Sequence, residues 1–262
     1  MQHLTAVEAP WSDRRRRAQE LLDRHSYAAE VLRLYAALID VQERIYERAL
    51  TAAPLEVAGY IAREAVPRVV EVTVAAGPPR LVESVLARFH TADLADLVGR
   101  WLGSAQQAAA DRYLARAASE PVLLAAGPAA LAACSGPRDS RHCPACGGLP
   151  QLSYFGLSDD PLLTGPRHLE CSRCGQRWQH PRLVCAGCGE DRGARLPIYS
   201  DVERFPHIRV AGCETCGRYL LELDLRKDAG TVPVVDELAA LPLDLYAKER
   251  ALTKITPNLV GF

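Results

Sequence analysis

The stretches HCPACGG, His142–Gly148, and VCAGCGE, Val184–Glu190, share one punctuation: two cysteines separated by two residues and followed by glycine. Each is matched downstream by a second pair, Cys171/Cys174 for Cys143/Cys146 and Cys213/Cys216 for Cys185/Cys188, across gaps of 24 residues in both cases. Sliding the chain on itself by 42 positions superposes all eight cysteines, with Gly147 on Gly189, Gly175 on Gly217, Ser158 on Ser200, Asp159 on Asp201 and Arg167 on Arg209. The frame is duplicated, as in a tandem repeat of one small module.

Two residues between cysteines let both sulfurs point into one concavity. The glycine that follows takes a positive φ without a Cβ clash and leaves backbone N–H groups for the thiolates. Two such knuckles make a tetrahedral four-sulfur cage with metal–sulfur bonds of about 2.3 Å. A single Cys-x-x-Cys also fits a thioredoxin-like redox pair, but four in two equal frames read as two metal sites: Cys143, Cys146, Cys171 and Cys174, then Cys185, Cys188, Cys213 and Cys216. A closed four-sulfur shell leaves no open position for water or substrate, so the ions read as staples rather than catalysts. Zinc and a single iron both accept this geometry, and ligand type does not separate them. His142, His168, His180 and His207 lie near the ligands in sequence, but with four sulfurs at each site they read as neighbours or surface residues. Cys134 is left over and reads as a small buried hydrophobe in an alanine-rich helix.

Strand composition flanks the knuckles in LPQLSYF, RHLEC, RLPIYSDV, HIRVAGC and RYLLELDL. Each module is therefore a small antiparallel ribbon whose core is its metal. Upstream the character changes. Ala28, Val31, Leu32, Tyr35, Leu38, Ile39, Ile45 and Tyr46 recur at helical spacing, with Ser26 as candidate N-cap and Pro54 as stop. Further stripes run from Leu81 to Phe89 and, after the candidate cap Thr91, from Leu94 to Trp101. Alanine-rich helices are expected over Ala105–Ala118 and Pro121–Cys134, for about six in all. Tyr35, Tyr46 and Trp101 sit at core spacing, and Arg14 to Arg17 read as the polar side of a helix. The expected fold class is α+β: an N-terminal all-α helical domain over 1–137, two tandem rubredoxin-like or zinc-ribbon metal modules over 138–182 and 183–228, and a helical tail over 229–262. The helical half, with its own apolar stripes, is expected to fold without metal.

Composition narrows the function. With 31 Lys plus Arg against 32 Asp plus Glu the net charge is −1, a poor match to a polyanion. The cysteine region, residues 138–222, is nearly balanced, and eight thiolates on two divalent ions would make it negative, which argues against nucleic acid. The opening MQHLTAVEAPWSDRRRRAQELL has no apolar core of a secretory signal, and no run nears the roughly 20 apolar residues that cross a bilayer. A cytoplasmic protein without membrane insertion is expected, and there paired cysteines favour metal over disulfides.

With these motifs placed, CPACGGLPQLS, LECSRCGQRWQHPRLVCAGCGED, HIRVAGCETCGRYLLELDL and the tail VPVVDELAALPLDLYAKERALTKITPNLVGF together resemble the formate dehydrogenase accessory protein family, FdhE. The resemblance implies a cytoplasmic, non-enzymatic helper that binds the catalytic subunit of formate dehydrogenase during its maturation. It also implies two rubredoxin-like sites on the eight cysteines that hold iron in preference to zinc. Three classes follow: an assembly chaperone first, a rubredoxin-like electron carrier or thiol redox protein second, a nucleic-acid-binding zinc ribbon third. No nucleophile motif is present, so no enzyme is expected. The oligomeric state, a homo-oligomer included, is left open.

Overall fold

The structure, a computed structural model, describes residues 10–156 and 165–261. Ser158 and Asp159 of the repeat, and the first nine residues of the chain, lie outside the described residues. An all-α half comes first: α1 (Trp11–Arg24), α2 (Ala29–Ala52), α3 (Val57–Tyr60), a π-helical turn (Ile61–Ala65) leading into α4 (Val66–Ala76), α5 (Pro79–Thr91), α6 (Leu94–Leu102) and α7 (Ala109–Leu131). The β-rich part follows: β1 (Pro150–Phe155), β2 (Arg167–Cys171), β3 (Arg177–Gln179), β4 (Ile198–Ser200), β5 (Ile208–Cys213) and β6 (Arg218–Asp224). Two short helices, α8 (Pro233–Ala239) and α9 (Leu241–Glu249), and the strand β7 (Thr253–Lys254) form the tail. Among the described residues no helix is long and apolar enough to cross a membrane.

The long stripe read from the sequence becomes the buried face of α2, with Leu32, Leu34, Tyr35, Leu38, Ile39 and Ile45 inside. Burying each large aliphatic side chain contributes about 1.5–3 kcal/mol. The expected cap fails here. Ser26 opens a 3-10 turn, and α2 begins at Ala29 with no side-chain cap. At α6 the cap is Asp93 rather than Thr91: its carboxylate accepts from the N–H groups of Ala95 (2.9 Å) and Asp96 (3.1 Å). Thr91 instead ends α5 and donates to the Ala87 carbonyl.

Two alanine-rich helices were expected around Pro121, and one helix runs through it. Proline removes the N–H that would satisfy the Ala117 carbonyl four residues back. Buried Gln42 of α2 supplies the missing donor, its Nε2 lying 2.9 Å from that carbonyl oxygen. The break falls later, at Gly127, whose φ of 57° and ψ of −144° lie outside the helical region. Cys134 sits past the end of α7 in a turn, buried as expected but not helical.

The arginine run differs from its reading as a polar face. Arg15 and Arg16 are exposed or half-exposed, but Arg14 and Arg17 are buried. Arg14 pairs with Glu120 of α7 at 2.7 Å, and Arg17 reaches Asp236 of α8 at 2.5 Å and Asp228 at 2.7 Å. These two residues fasten α1 to α7 and to the tail.

The two ribbons share one sheet, ordered β3-β2-β1-β6-β5-β4, with β7 beside β6. Within each module the neighbours are antiparallel, and the joint between modules is parallel, Ser153, Tyr154 and Phe155 of β1 facing Glu222, Leu223 and Asp224 of β6. The first strand of one module thus meets the third strand of the other, head to tail. One sheet face in the second module, with Ile208, Val210, Tyr219, Leu221 and Leu223, packs against Leu243 and Ala247 of α9. The first cysteine cluster belongs to a different core: Cys143, Cys146, Cys171 and Cys174 join Leu169 and Trp178 in one apolar cluster with α2, α4, α6 and α7. The helical half and the first cage therefore share one core.

Candidate metal centres

The eight cysteines come together in two groups of four, as the spacing requires. In each group the ligand atoms all lie within 4.8 Å of one another. The knuckles are built alike. The glycine after each pair takes a left-handed φ, 73° at Gly147, 68° at Gly175, 82° at Gly189 and 64° at Gly217. Each such glycine donates its N–H back to the carbonyl of the first cysteine of its pair, at 2.8, 3.2, 2.9 and 2.9 Å respectively. A Cβ in that conformation would be strained, and this is the local reason for Cys-x-x-Cys-Gly. Further N–H groups face the sulfurs: Gly148 on Cys146 and Arg173 on Cys171 at 3.4 Å, and Gly187 on Cys185 at 3.3 Å.

Sulfur spacing tests whether a metal fits. A tetrahedron with bonds of about 2.3 Å has sulfur–sulfur edges of about 3.8 Å. The first cluster shows 3.7 Å for Cys143–Cys174 and 3.4 Å for Cys146–Cys171. The second shows 3.8 Å for Cys185–Cys216 and 3.7 Å for Cys188–Cys213. A disulfide needs about 2.05 Å, so these are separate sulfurs around a centre. Burial pushes the Cys171 thiol well up, and four clustered sulfurs become thiolates only where a cation offsets their charge. The donor set fits a thiophilic ion at both sites and does not choose between iron and zinc.

The surroundings of the two clusters differ. Arg173, inside the second knuckle of the first cage, donates to the carbonyls of Cys146 (2.9 Å) and Ser135 (3.3 Å) and to the hydroxyl of Ser104 (2.5 Å), tying the cage to the loop after α6. Cys134 lies close by, and burial raises its thiol. At the second cage Cys188 and Cys216 are only half-buried. Beside it a cavity of about 110 Å³ is lined by Cys185, Leu183, Ile198, Arg182, Arg209 and Arg218.

None of the four histidines joins a cage. His142 contacts Asp139 at 2.7 Å, His168 stacks on Tyr154, His180 lies against the Ser140 carbonyl, and His207 contacts Asp236 at 3.0 Å. His207, Asp228 and Asp236 also converge. There the Arg17 guanidinium already supplies the positive charge, touching both carboxylates.

The sequence reading missed a second polar centre in the tail. Glu237 and Asp244 are buried around Lys254, whose Nζ is 2.6 and 3.0 Å from them; the Tyr219 hydroxyl donates to Asp244 and the Gln151 amide to Glu237. The acids of VVDELAALPLDL thus anchor the tail rather than face solvent. Their helical spacing within an apolar run was the available signal.

Residues 183–260 match the family model described as FdhE, C-terminal domain, and residues 142–182 the one described as FdhE, central domain. A protein FdhE homolog of Aquifex aeolicus is 33% identical over 121 residues, 46% of this chain and 42% of that protein. Protein FdhE of Escherichia coli O9:H4 is 29% identical over 118 residues, 45% of this chain and 37% of that protein. The match thus spans about two fifths of the length of these curated relatives. In fold, the crystal structure of the FdhE protein from Pseudomonas aeruginosa superposes with a TM-score of 0.67 at 22% identity, covering 96% of this chain and 95% of that one.

Proposed function

The chain belongs to the FdhE family through residues 142–260, and from that premise we propose that it is a non-enzymatic accessory protein in the maturation of formate dehydrogenase. It binds the catalytic subunit of that enzyme in the cytoplasm, with an iron ion, or zinc in its place, held by each set of four cysteines. The observation that carries the reading is the closure of both clusters at tetrahedral sulfur spacing, which leaves no site for substrate and makes the ions organisers of a surface.

That surface has the character of a docking face. Leu183 and Ile198, 70% and 48% exposed, line the cavity ringed by Arg182, Arg209 and Arg218, and Val202 is 64% exposed on the same module. Exposed apolar side chains rimmed by charge mark protein contacts. Deleting the gene should abolish formate oxidation while leaving the transcript of the catalytic subunit unchanged, and the wild-type chain should restore it. Full formate dehydrogenase activity in the deletion strain would overturn the reading.

A rubredoxin-like electron carrier is the second reading. It is favoured by the half-buried Cys188 and Cys216, which bring the second cage to the surface where an electron can enter. A reversible colour change of a ferric four-sulfur site under reductant and oxidant, in a strain that needs no help to make formate dehydrogenase, would favour this alternative.

A further inference from the structure

The two cages have the same ligands in the same frame, so any difference in behaviour comes from what covers them. Repeat-equivalent positions make the comparison direct. A Cβ built on Gly147 would meet the Gly136 backbone at 2.8 Å, and one on Gly175 would approach Glu120 of α7 at 3.9 Å. At the matching Gly189 and Gly217 of the second cage nothing lies within 4 Å. The cysteines follow suit: Cys143, Cys146, Cys171 and Cys174 are 0%, 0%, 4% and 5% exposed in the main core, and Arg173 donates to the Cys146 carbonyl. In the second cage, Cys185 and Cys213 are sheltered on the side where Ile255, Leu252 and Pro197 pack onto Gly187 and Gly212, while Cys188 and Cys216 reach solvent.

We propose that the second cage, Cys185, Cys188, Cys213 and Cys216, is an exchangeable site that trades a thiophilic divalent cation with external chelators or thiols, while the first cage keeps its ion as a fixed part of the core. Exchange at a closed four-sulfur shell requires an incoming donor to bond the ion as one cysteine sulfur leaves and takes a proton from water. Cys188 and Cys216, the half-buried members of that cage, are the ligands nearest to an incoming donor. At the first cage the same event requires the α6–α7 packing to open, a costlier fluctuation than motion of a surface knuckle. The duplicated frame thus divides the work: one copy joins the helical half to the sheet, and the other responds to the metal supply beside the apolar, arginine-rimmed face. This inference rests on the cages being metal sites and not on the identity of the partner.

The full chain loaded with two equivalents of zinc and mixed with excess chromogenic chelator tests it. One equivalent should leave at least about tenfold faster than the other, since the rates report local against core opening. Cys188→Ser should lose the fast equivalent and retain the slow one. Brief iodoacetamide labelling of the wild-type protein during release, read by mass spectrometry, should mark Cys185, Cys188, Cys213 and Cys216 first, and it does not depend on a variant folding. A single release phase for both equivalents, a fast phase that survives in Cys188→Ser, or early labelling of Cys143–Cys174 would overturn the division. A preparation that takes up fewer than two equivalents contradicts the two-site reading itself, and this inference falls with it.

Discussion

Arg167 and Arg209, equivalent positions in the two cysteine frames, close on one carboxylate: Arg167 Nε lies 2.7 Å from one oxygen of Glu222 and Arg209 Nη2 lies 2.6 Å from the other. Glu222 is buried on β6 and faces Ser153 of β1 across the parallel joint, so the three charges lock the two modules at their seam. Burial holds the Arg167 guanidinium below its ordinary value even beside Glu222.

Removing the shared acid therefore leaves a buried guanidinium without its partner. Glu222→Ala should cost about 3–5 kcal/mol in denaturant unfolding, as breaking one side of a buried ion pair does. A loss below about 1 kcal/mol would mean that water already screens the seam.

Where α1 meets α8, Arg17→Met should cost about 3 kcal/mol by stranding Asp236, which among the described residues keeps His207 and the Val232 N–H. The penalty should depend on pH. Burial alone would raise the Asp228 carboxyl, but Arg17 together with the Gly230 N–H outweighs it and the group sits below its ordinary value; hydrogen bonds from Arg16 and Arg17 lower Glu20 as well. Both acids hold fewer protons folded than unfolded, so their contribution is present above about pH 4 and lost as pH falls through their lowered folded values. The stability gap between wild type and variant should shrink in acid, and a gap that widens below pH 4 would show that other groups control it.

The proline inside α7 makes a sharper test, because its remedy is a single bond. Gln42→Ala should cost about 1–3 kcal/mol by leaving the buried Ala117 carbonyl unsatisfied. Adding Pro121→Ala restores an N–H to the helix and should recover most of that loss. No recovery in the double variant would point to lost packing around Gln42 instead.

Metal dependence should reach into the helices. Because the first cage shares its core with α6 and α7, Cys171→Ser should lower the melting temperature by on the order of 10 °C and perturb the near-ultraviolet signal of Trp101 and Trp178. A variant with unchanged melting and an unchanged tryptophan signal would restore the picture of an independent helical half.

The cysteine frames, the strands beside them and the helical character of the first half were legible because each is written locally: two-residue spacing, the following glycine, a three-to-four residue stripe. What joins the parts was not. The parallel pairing of β1 with β6 rests on contacts such as Ser153 with Glu222, 69 residues apart, and no pattern within either strand specifies that neighbour. Arg14 and Arg17 carry the same side chain as Arg15 and Arg16, and only Glu120 and Asp236, far along the chain, turn them inward. Pro121 read as a helix start because Gln42, which satisfies the Ala117 carbonyl that the proline leaves free, lies 75 residues from that alanine. The different covering of two identical cages was hidden for the same reason.

The eight cysteines can organise both modules only if they hold metal. Protein purified without oxygen should contain two equivalents of iron plus zinc, and X-ray absorption at the metal edge should show four sulfur neighbours at about 2.3 Å. One equivalent or none in folded protein, or nitrogen and oxygen among the nearest neighbours, would contradict it.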